Sequence, residues 1–282
     1  MIHLVASSDG LKGSALPAVV RLTDLLGERG FDVTRSRNLI APAPGEPASP
    51  ASERAEEINR ARIEGRLVID LSGGNRANEI LPDLRIGPGP AIMGYSDLTA
   101  VLLAYAPQRP TIWFQAGHIL AGGPTADFLA LLAGTSQALL EPRVRHAAGP
   151  RAQVEGRLLG GNTRCLLKLA GTPYFPDLDG HILLLEGRTS DPATLIPQLA
   201  QLRQMGAFER PSALVLGTFT TFEAEHSTGE LIELVRSATG PHLPIYRTED
   251  IGHAKTAGGA ALGAHYRLGD DMKLVETVNL WS

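Results

Sequence analysis

The stretch Ala91-Ile92-Met93-Gly94-Tyr95-Ser96-Asp97-Leu98-Thr99-Ala100-Val101-Leu102-Leu103 constrains this chain most. Ala91 to Met93 are apolar and follow a Gly-Pro-Gly-Pro break, the pattern of a short buried strand entering a sheet. Gly94 relieves the steric limit of a sharp turn, and from Leu98 onward apolar residues recur at helical spacing. A serine on such a strand-to-helix turn is held above the sheet edge, where the following backbone N–H faces anything bound to its hydroxyl. That is the geometry of a nucleophile elbow. The usual elbow carries Gly two residues after Ser, and Leu98 stands there instead. The residues alone also admit Ser96 as a helix N-cap, its oxygen accepting from the N–H of Leu98 or Thr99.

Around this stretch, strands alternate with helices. Ile2–Ala6, Phe31–Thr34, Leu67–Leu71, Ala91–Met93 and Thr111–Phe114 read as strands, and Leu16–Leu26 and Ala51–Glu64 as helices. Asn75–Leu81 reads as a short helix stopped before Pro82. The alternation predicts an α/β fold with a doubly wound parallel sheet, whose ligands sit beyond the carboxyl ends of the strands. Both the Ser72-Gly73-Gly74-Asn75 loop and the Ser96 turn leave strands at that end. Leu140–Glu155 breaks the pattern with two prolines and three arginines, which predicts an N-terminal domain over 1–140, a linker over 141–155 and a smaller strand-rich α/β domain over 156–282. In the second part Thr163–Leu169 reads as a short helix, His181–Leu185 as an apolar strand ending at Glu186, and Gly258–Leu268 and Met272–Val278 as closing strands.

Composition excludes several classes. Over 282 residues the net charge is −4, which gives no basic surface for a nucleic-acid polymer. The Leu98–Ala106 apolar run is too short to span a bilayer, and Met-Ile-His-Leu-Val does not open a signal peptide. Cys165 is the single cysteine, so no intrachain disulfide forms, and no Cys/His cluster spaced for a metal is present. The expectation is a cytoplasmic chain that needs neither metal nor cofactor.

An activated serine needs a base and a group that orients it. Of eight histidines, His253, in the Gly-flanked loop Asp250-Ile251-Gly252-His253-Ala254, and His118, among small residues, rank equally on residues alone. Glu186, at the mouth of a buried strand, is either a site carboxylate or a solvated strand end. Cys165 lies inside an apolar helix pattern and reads as an inert buried thiol.

Four motifs, in order, resemble the LD-carboxypeptidase family of serine peptidases, which also contains the microcin C immunity proteins. Gly160-Gly161-Asn162-Thr163 through Gly171-Thr172-Pro173-Tyr174 to Ile182-Leu183-Leu184-Leu185-Glu186 resembles the family's longest block. Gly94-Tyr95-Ser96-Asp97-Leu98-Thr99-Ala100 resembles its nucleophile turn, Ser72-Gly73-Gly74 through Leu81-Pro82 its glycine loop, and Ile251-Gly252-His253 its Gly-His loop. The resemblance implies Ser96 as nucleophile, Glu186 as the acid and His253 as the base, at the interface of the two domains. It implies an oxyanion site from the N–H of Asp97 and one in the Gly73-Gly74 loop, no cofactor, and a homodimer. The implied substrate is a murein tetrapeptide losing its terminal D-alanine, with a peptidyl- or aminoacyl-nucleotide amide as the alternative. A non-catalytic binding module on the same fold is the rival reading. Three departures stand out. Gln115-Ala116-Gly117-His118 replaces a His-Gly-Pro, Gly187 follows Glu186 where the family often has Asp, and the Asn78-Glu79 pair is closer to the immunity branch.

Overall fold

The computed structural model describes residues 1–268 and 273–276. The first part runs β1 (Ile2–Val5), α1 (Leu16–Glu28), β2 (Val33–Arg35), α2 (Ala51–Ile63), β3 (Leu67–Asp70), β4 (Ile92–Gly94), α3 (Thr99–Tyr105), β5 (Thr111–Trp113) and α4 (Thr125–Leu132). The second runs β6 (Arg145–Ala148), β7 (Glu155–Asn162), α5 (Thr163–Leu167), β8 (Ile182–Gly187), α6 (Pro192–Gln204), β9 (Ala213–Phe219), α7 (Thr220–Glu225), α8 (Thr228–Thr239), β10 (Ile245–Arg247), β11 (Ala260–Leu262), β12 (His265–Leu268) and β13 (Leu274–Glu276).

Two mixed, mainly parallel sheets result. The first has the order β11-β5-β4-β3-β1-β2, and the second β13-β12-β7-β8-β9-β10-β6. In the first sheet β1 to β5 are all parallel, as expected. Apart from those of the edge strand β2, their residues are buried on both faces, which is why β1 reads as an unbroken apolar run apart from His3. α1 turns Val19, Leu22 and Leu26 inward, and α2 turns in Ala55, Ile58 and Ala61. Pro17 sits in the first turn of α1, where a missing N–H costs little. α3 is apolar all round because it lies between the first sheet and β7.

Four local features differ from the expectation. The helix after the glycine loop is a 3₁₀ segment, Ala77–Asp83, with Pro82 inside it; the tighter turn accommodates the ring that would break an α-helix. Arg145–Ala148, within the stretch expected to be a linker, pairs antiparallel with β10 at the edge of the second sheet. The expected Gly258–Leu268 strand is broken at Gly263 into β11 and β12. β11 then crosses back to pair antiparallel with β5 in the first sheet. Of the expected Met272–Val278 strand, Leu274–Glu276 is present and the rest lies outside the described residues. Phe128 and Leu131 of α4, like Trp113 and Phe114, are core residues. Among the described residues no helix is long and apolar enough to cross a membrane.

Candidate active site

Strand order 2-1-3-4-5 puts a crevice where the chain leaves β1 and β3 at their carboxyl ends, because successive connections diverge there. Ser7–Asp9, Ser72–Asn75 and Ser96 all follow strands at this edge. Asp70, fully buried, organises its floor. Its carboxylate accepts from the backbone N–H and hydroxyl of both Ser7 and Ser72. Burial pushes the Asp70 carboxyl above the usual range, against the four hydrogen bonds that pull it down.

Ser96 is the one non-glycine residue with positive φ, 54°, among the described residues. A left-handed backbone in a serine carries strain that the surroundings must hold in place, which is the signature of an elbow. Tight packing of the turn supplies the hold: a methyl group at Gly94 would lie 2.8 Å from Leu98 Cβ. The turn and α3 have no side-chain cap, so Ser96 does not serve as an N-cap. Its Oγ lies 3.3 Å from His253 Nε2.

His253 Nδ1 lies 2.8 Å from Glu186 Oε2. With Nδ1–H donating to the carboxylate, Nε2 is left to accept from the Ser96 hydroxyl. Glu186 is fully buried, and its other oxygen accepts from Asn162 Nδ2 at 2.8 Å. Asn162 and Glu186 are register partners at the ends of β7 and β8. The Tyr95 ring packs 4.6 Å from the His253 ring, holding the imidazole from the side. Burial, then the Glu186 charge, raises the Tyr95 phenol far above its usual range, so it stays neutral.

Gly73 faces the serine directly, since a methyl group there would lie 3.9 Å from Ser96 Cβ. Gly74, at φ 131°, has the Asp9 carboxylate where a side chain would begin, so only glycine fits. The Asp97 side chain is wholly buried. It accepts from Ser8 Oγ at 2.6 Å, from Ala77 N at 2.8 Å, and from Lys168. Burial raises its pKa, but the Lys168 ammonium and the Ser8 and Ala77 bonds outweigh that and hold it below the usual carboxylate range.

Ser96, His253 and Glu186 are thus brought together, and Gly73 with them. His118 is a layer away, its ring 6.1 Å from that of Tyr95. Burial, then the charges of His253, Lys255 and Arg188, lowers the His118 pKa. Cys165 is buried, and burial followed by the Asp97 charge pushes its thiol up, leaving it inert. Sequence reasoning missed Asn162 as the partner of Glu186. It also missed the Asp97 carboxylate with Lys168, a pair 71 residues apart with no local signal.

The chain is similar to known proteins over most of its length. The model of the LD-carboxypeptidase N-terminal domain matches residues 2–115, and that of the C-terminal domain matches residues 155–268. The murein tetrapeptide carboxypeptidase of Pseudomonas aeruginosa is 28% identical over 89% of this chain and 87% of its own length. The microcin C7 self-immunity protein of Escherichia coli is 24% identical over 95% of this chain and 92% of its own. The solved structure of muramoyltetrapeptide carboxypeptidase from Oxalobacter formigenes superposes with a TM-score of 0.77 at 25% identity, covering 97% of each chain. With both domain models matched in order, the chain belongs to the LD-carboxypeptidase family and is a serine peptidase.

Proposed function

We propose that Ser96, His253 and Glu186 form the catalytic triad of an LD-carboxypeptidase that releases terminal D-alanine from a murein tetrapeptide. The observation that carries this reading is the unbroken hydrogen-bonded chain from the strained serine through His253 to the buried Glu186. Ser96 Oγ attacks the scissile carbonyl and forms the C–O bond while His253 Nε2 takes its proton. Glu186 fixes the imidazole tautomer and stabilises the imidazolium. As the tetrahedral intermediate collapses the C–N bond breaks, and His253 returns the proton to the leaving amine. Water then repeats the sequence to free the serine. The oxyanion is held by the N–H of Asp97 and one from the Gly73-Gly74 loop.

An exopeptidase substrate ends in a carboxylate. Arg188 and Lys255 are exposed cations two residues along the chain from Glu186 and His253, and neither makes an ion pair among the described residues. Their charge suits such a terminus. The alternative substrate, a peptidyl- or aminoacyl-nucleotide, rests on the Asn78-Glu79 pair. Glu79 is engaged elsewhere, bonded to Arg54 at 2.7 Å and Arg76 at 2.9 Å. The alternative also has the support of the similarity to the microcin C7 self-immunity protein. The homodimer belongs to the same family reading.

Ser96→Ala tests the reading. Loss of a triad nucleophile costs on the order of a millionfold in turnover. The variant is expected to lose D-alanine release and labelling by a fluorophosphonate probe while keeping its circular dichroism spectrum. A variant that retains a sizeable share of wild-type turnover overturns the assignment.

A further inference from the structure

The short helix α5 of the second part, with Lys168 just past its end, reaches the Asp97 side chain and the Gly74-Asn75 loop of the first part. Lys168, just past its end, donates to the Asp97 carboxylate and, at 2.7 Å, to the carbonyl of Asn75. Arg164 donates to the carbonyl of Gly74 at 2.8 Å and to the Asn75 side chain. Cys165 Sγ lies 3.3 Å from Asp97 Oδ1. Asn162, which caps the helix, donates to Glu186.

Such an arrangement is costly unless it is complete. A carboxylate removed from water needs its charge matched and its lone pairs filled. Asp97 has both, from Lys168, Ser8 and Ala77, and the first of these comes from the other half of the chain. The Asp97 backbone N–H is one of the two donors in the proposed oxyanion hole, and the Gly73-Gly74 loop provides the other. Lys168 therefore holds the side chain of one donor residue and the strand-end loop of the other, and Arg164 holds that loop a second time.

We propose that Lys168, assisted by Arg164, is a positioning residue that sets the spacing of the two oxyanion donors across the domain interface. The inference rests on the triad reading above. Lys168 touches no reacting atom; it acts through the Asp97 carboxylate and the Asn75 carbonyl, and Arg164 through the Gly74 carbonyl. An oxyanion forms only in the transition state, so loosening its donors lowers the rate of bond formation and leaves ground-state binding in place.

The test is the rate at which a fluorophosphonate probe labels Ser96, followed as a function of probe concentration in the intact chain. The reaction needs the nucleophile and the oxyanion donors but no knowledge of the natural substrate. In Lys168→Met the maximal labelling rate is expected to fall about 10- to 100-fold, as for a displaced oxyanion donor, with the half-saturating concentration within about threefold of wild type. Lys168→Arg, which keeps the cation, is expected to recover most of the rate. If Lys168→Met does not fold, Arg164→Met removes only a half-exposed contact and is expected to move the rate in the same direction at an unchanged melting temperature. A Lys168→Met variant labelled at the wild-type rate overturns the strut alone. So does a loss that Lys168→Arg does not recover, or an Arg164→Met variant at the wild-type rate where Lys168→Met is unfolded. A wild-type chain that the probe does not label overturns the triad reading, and the strut with it.

Discussion

At the residue scale the site depends on carboxylates whose two oxygens have separate tasks. Glu186 Oε2 meets His253 Nδ1, and Oε1 accepts from Asn162 Nδ2. Glu186→Gln keeps the volume but breaks this division. If the amide oxygen faces His253, the amide NH₂ meets Asn162 Nδ2 donor to donor. Asn162 cannot turn over freely, because its Oδ1 accepts from Cys165 N at the start of α5. If the amide NH₂ faces His253 instead, the imidazole is driven to the wrong tautomer. The variant is expected to lose about 10⁴-fold in kcat with KM little changed, the loss typical of a mis-set tautomer. Steady-state kinetics on the tetrapeptide checks it, and a kcat within tenfold of wild type removes Glu186 from the role. The residue types of this site were legible in the sequence: a serine on a strand-to-helix turn, a histidine between loop residues, a carboxylate closing an apolar strand. The residues taken alone leave His253 and His118 level, and the choice of His253 comes from the resemblance of Ile251-Gly252-His253 to the family's Gly-His loop. The partnership of Asn162 with Glu186 was hidden, since it is created by the register of two parallel strands.

At the scale of elements, local patterning carried the reading wherever burial is two-sided or periodic. Thus β1, β3 and β4, α1 and α2 stand close to where their apolar residues placed them. It failed where a partner from far along the chain decides the outcome. Arg145–Ala148 is too polar to read as a strand, and it becomes one because β10, about a hundred residues later, provides hydrogen-bond partners at a sheet edge. Gly263, at φ 85°, splits one expected strand in two and sends its halves to different sheets. The elbow shows the opposite case, in which one local contact fixes the element. Gly94 closes β4 against the buried Leu98 side chain, and any Cβ at that position displaces it. Gly94→Ala is expected to cost about 1–3 kcal/mol, the usual range for overpacking a tight core. The measurement is the urea midpoint at unchanged m-value. A midpoint equal to wild type shows that the turn relaxes without cost and that the packing does not hold the serine's strained backbone.

For the whole molecule, the two sheets are not independent bodies in sequence. β11 leaves the second part to close the edge of the first sheet, and α5 grips the loops of the first part from the second. The α/β class and the parallel first sheet were readable from alternation alone. This interlock was not, because it joins residues more than 70 apart through a few hydrogen bonds and no repeated pattern. The homodimer is the remaining question at this scale. The apolar helix α4 offers no surface for it, because Phe128 and Leu131 are fully buried within the chain. The exposed apolar side chains lie elsewhere. Ile196 is 51% exposed on α6 and Met205 is 38% exposed just beyond it, beside a groove between α6 and α8 lined by Leu199, Ala200, Leu234 and Ala238 and edged by Arg203, Gln204 and Ser237. Contiguous apolar surface of this kind marks an association site, and a two-fold axis through it would set α6 against its own copy. A stable pair needs about 1,000 Å² or more buried in total. Light scattering at micromolar concentration is expected to give a mass near twice 29.9 kDa, and Ile196→Glu to return it to that of one chain. A wild-type mass near 29.9 kDa removes the dimer and leaves the triad standing. A dimer that survives Ile196→Glu moves the interface to another face, such as that of α1, where Leu16 and Val20 stand exposed one turn apart.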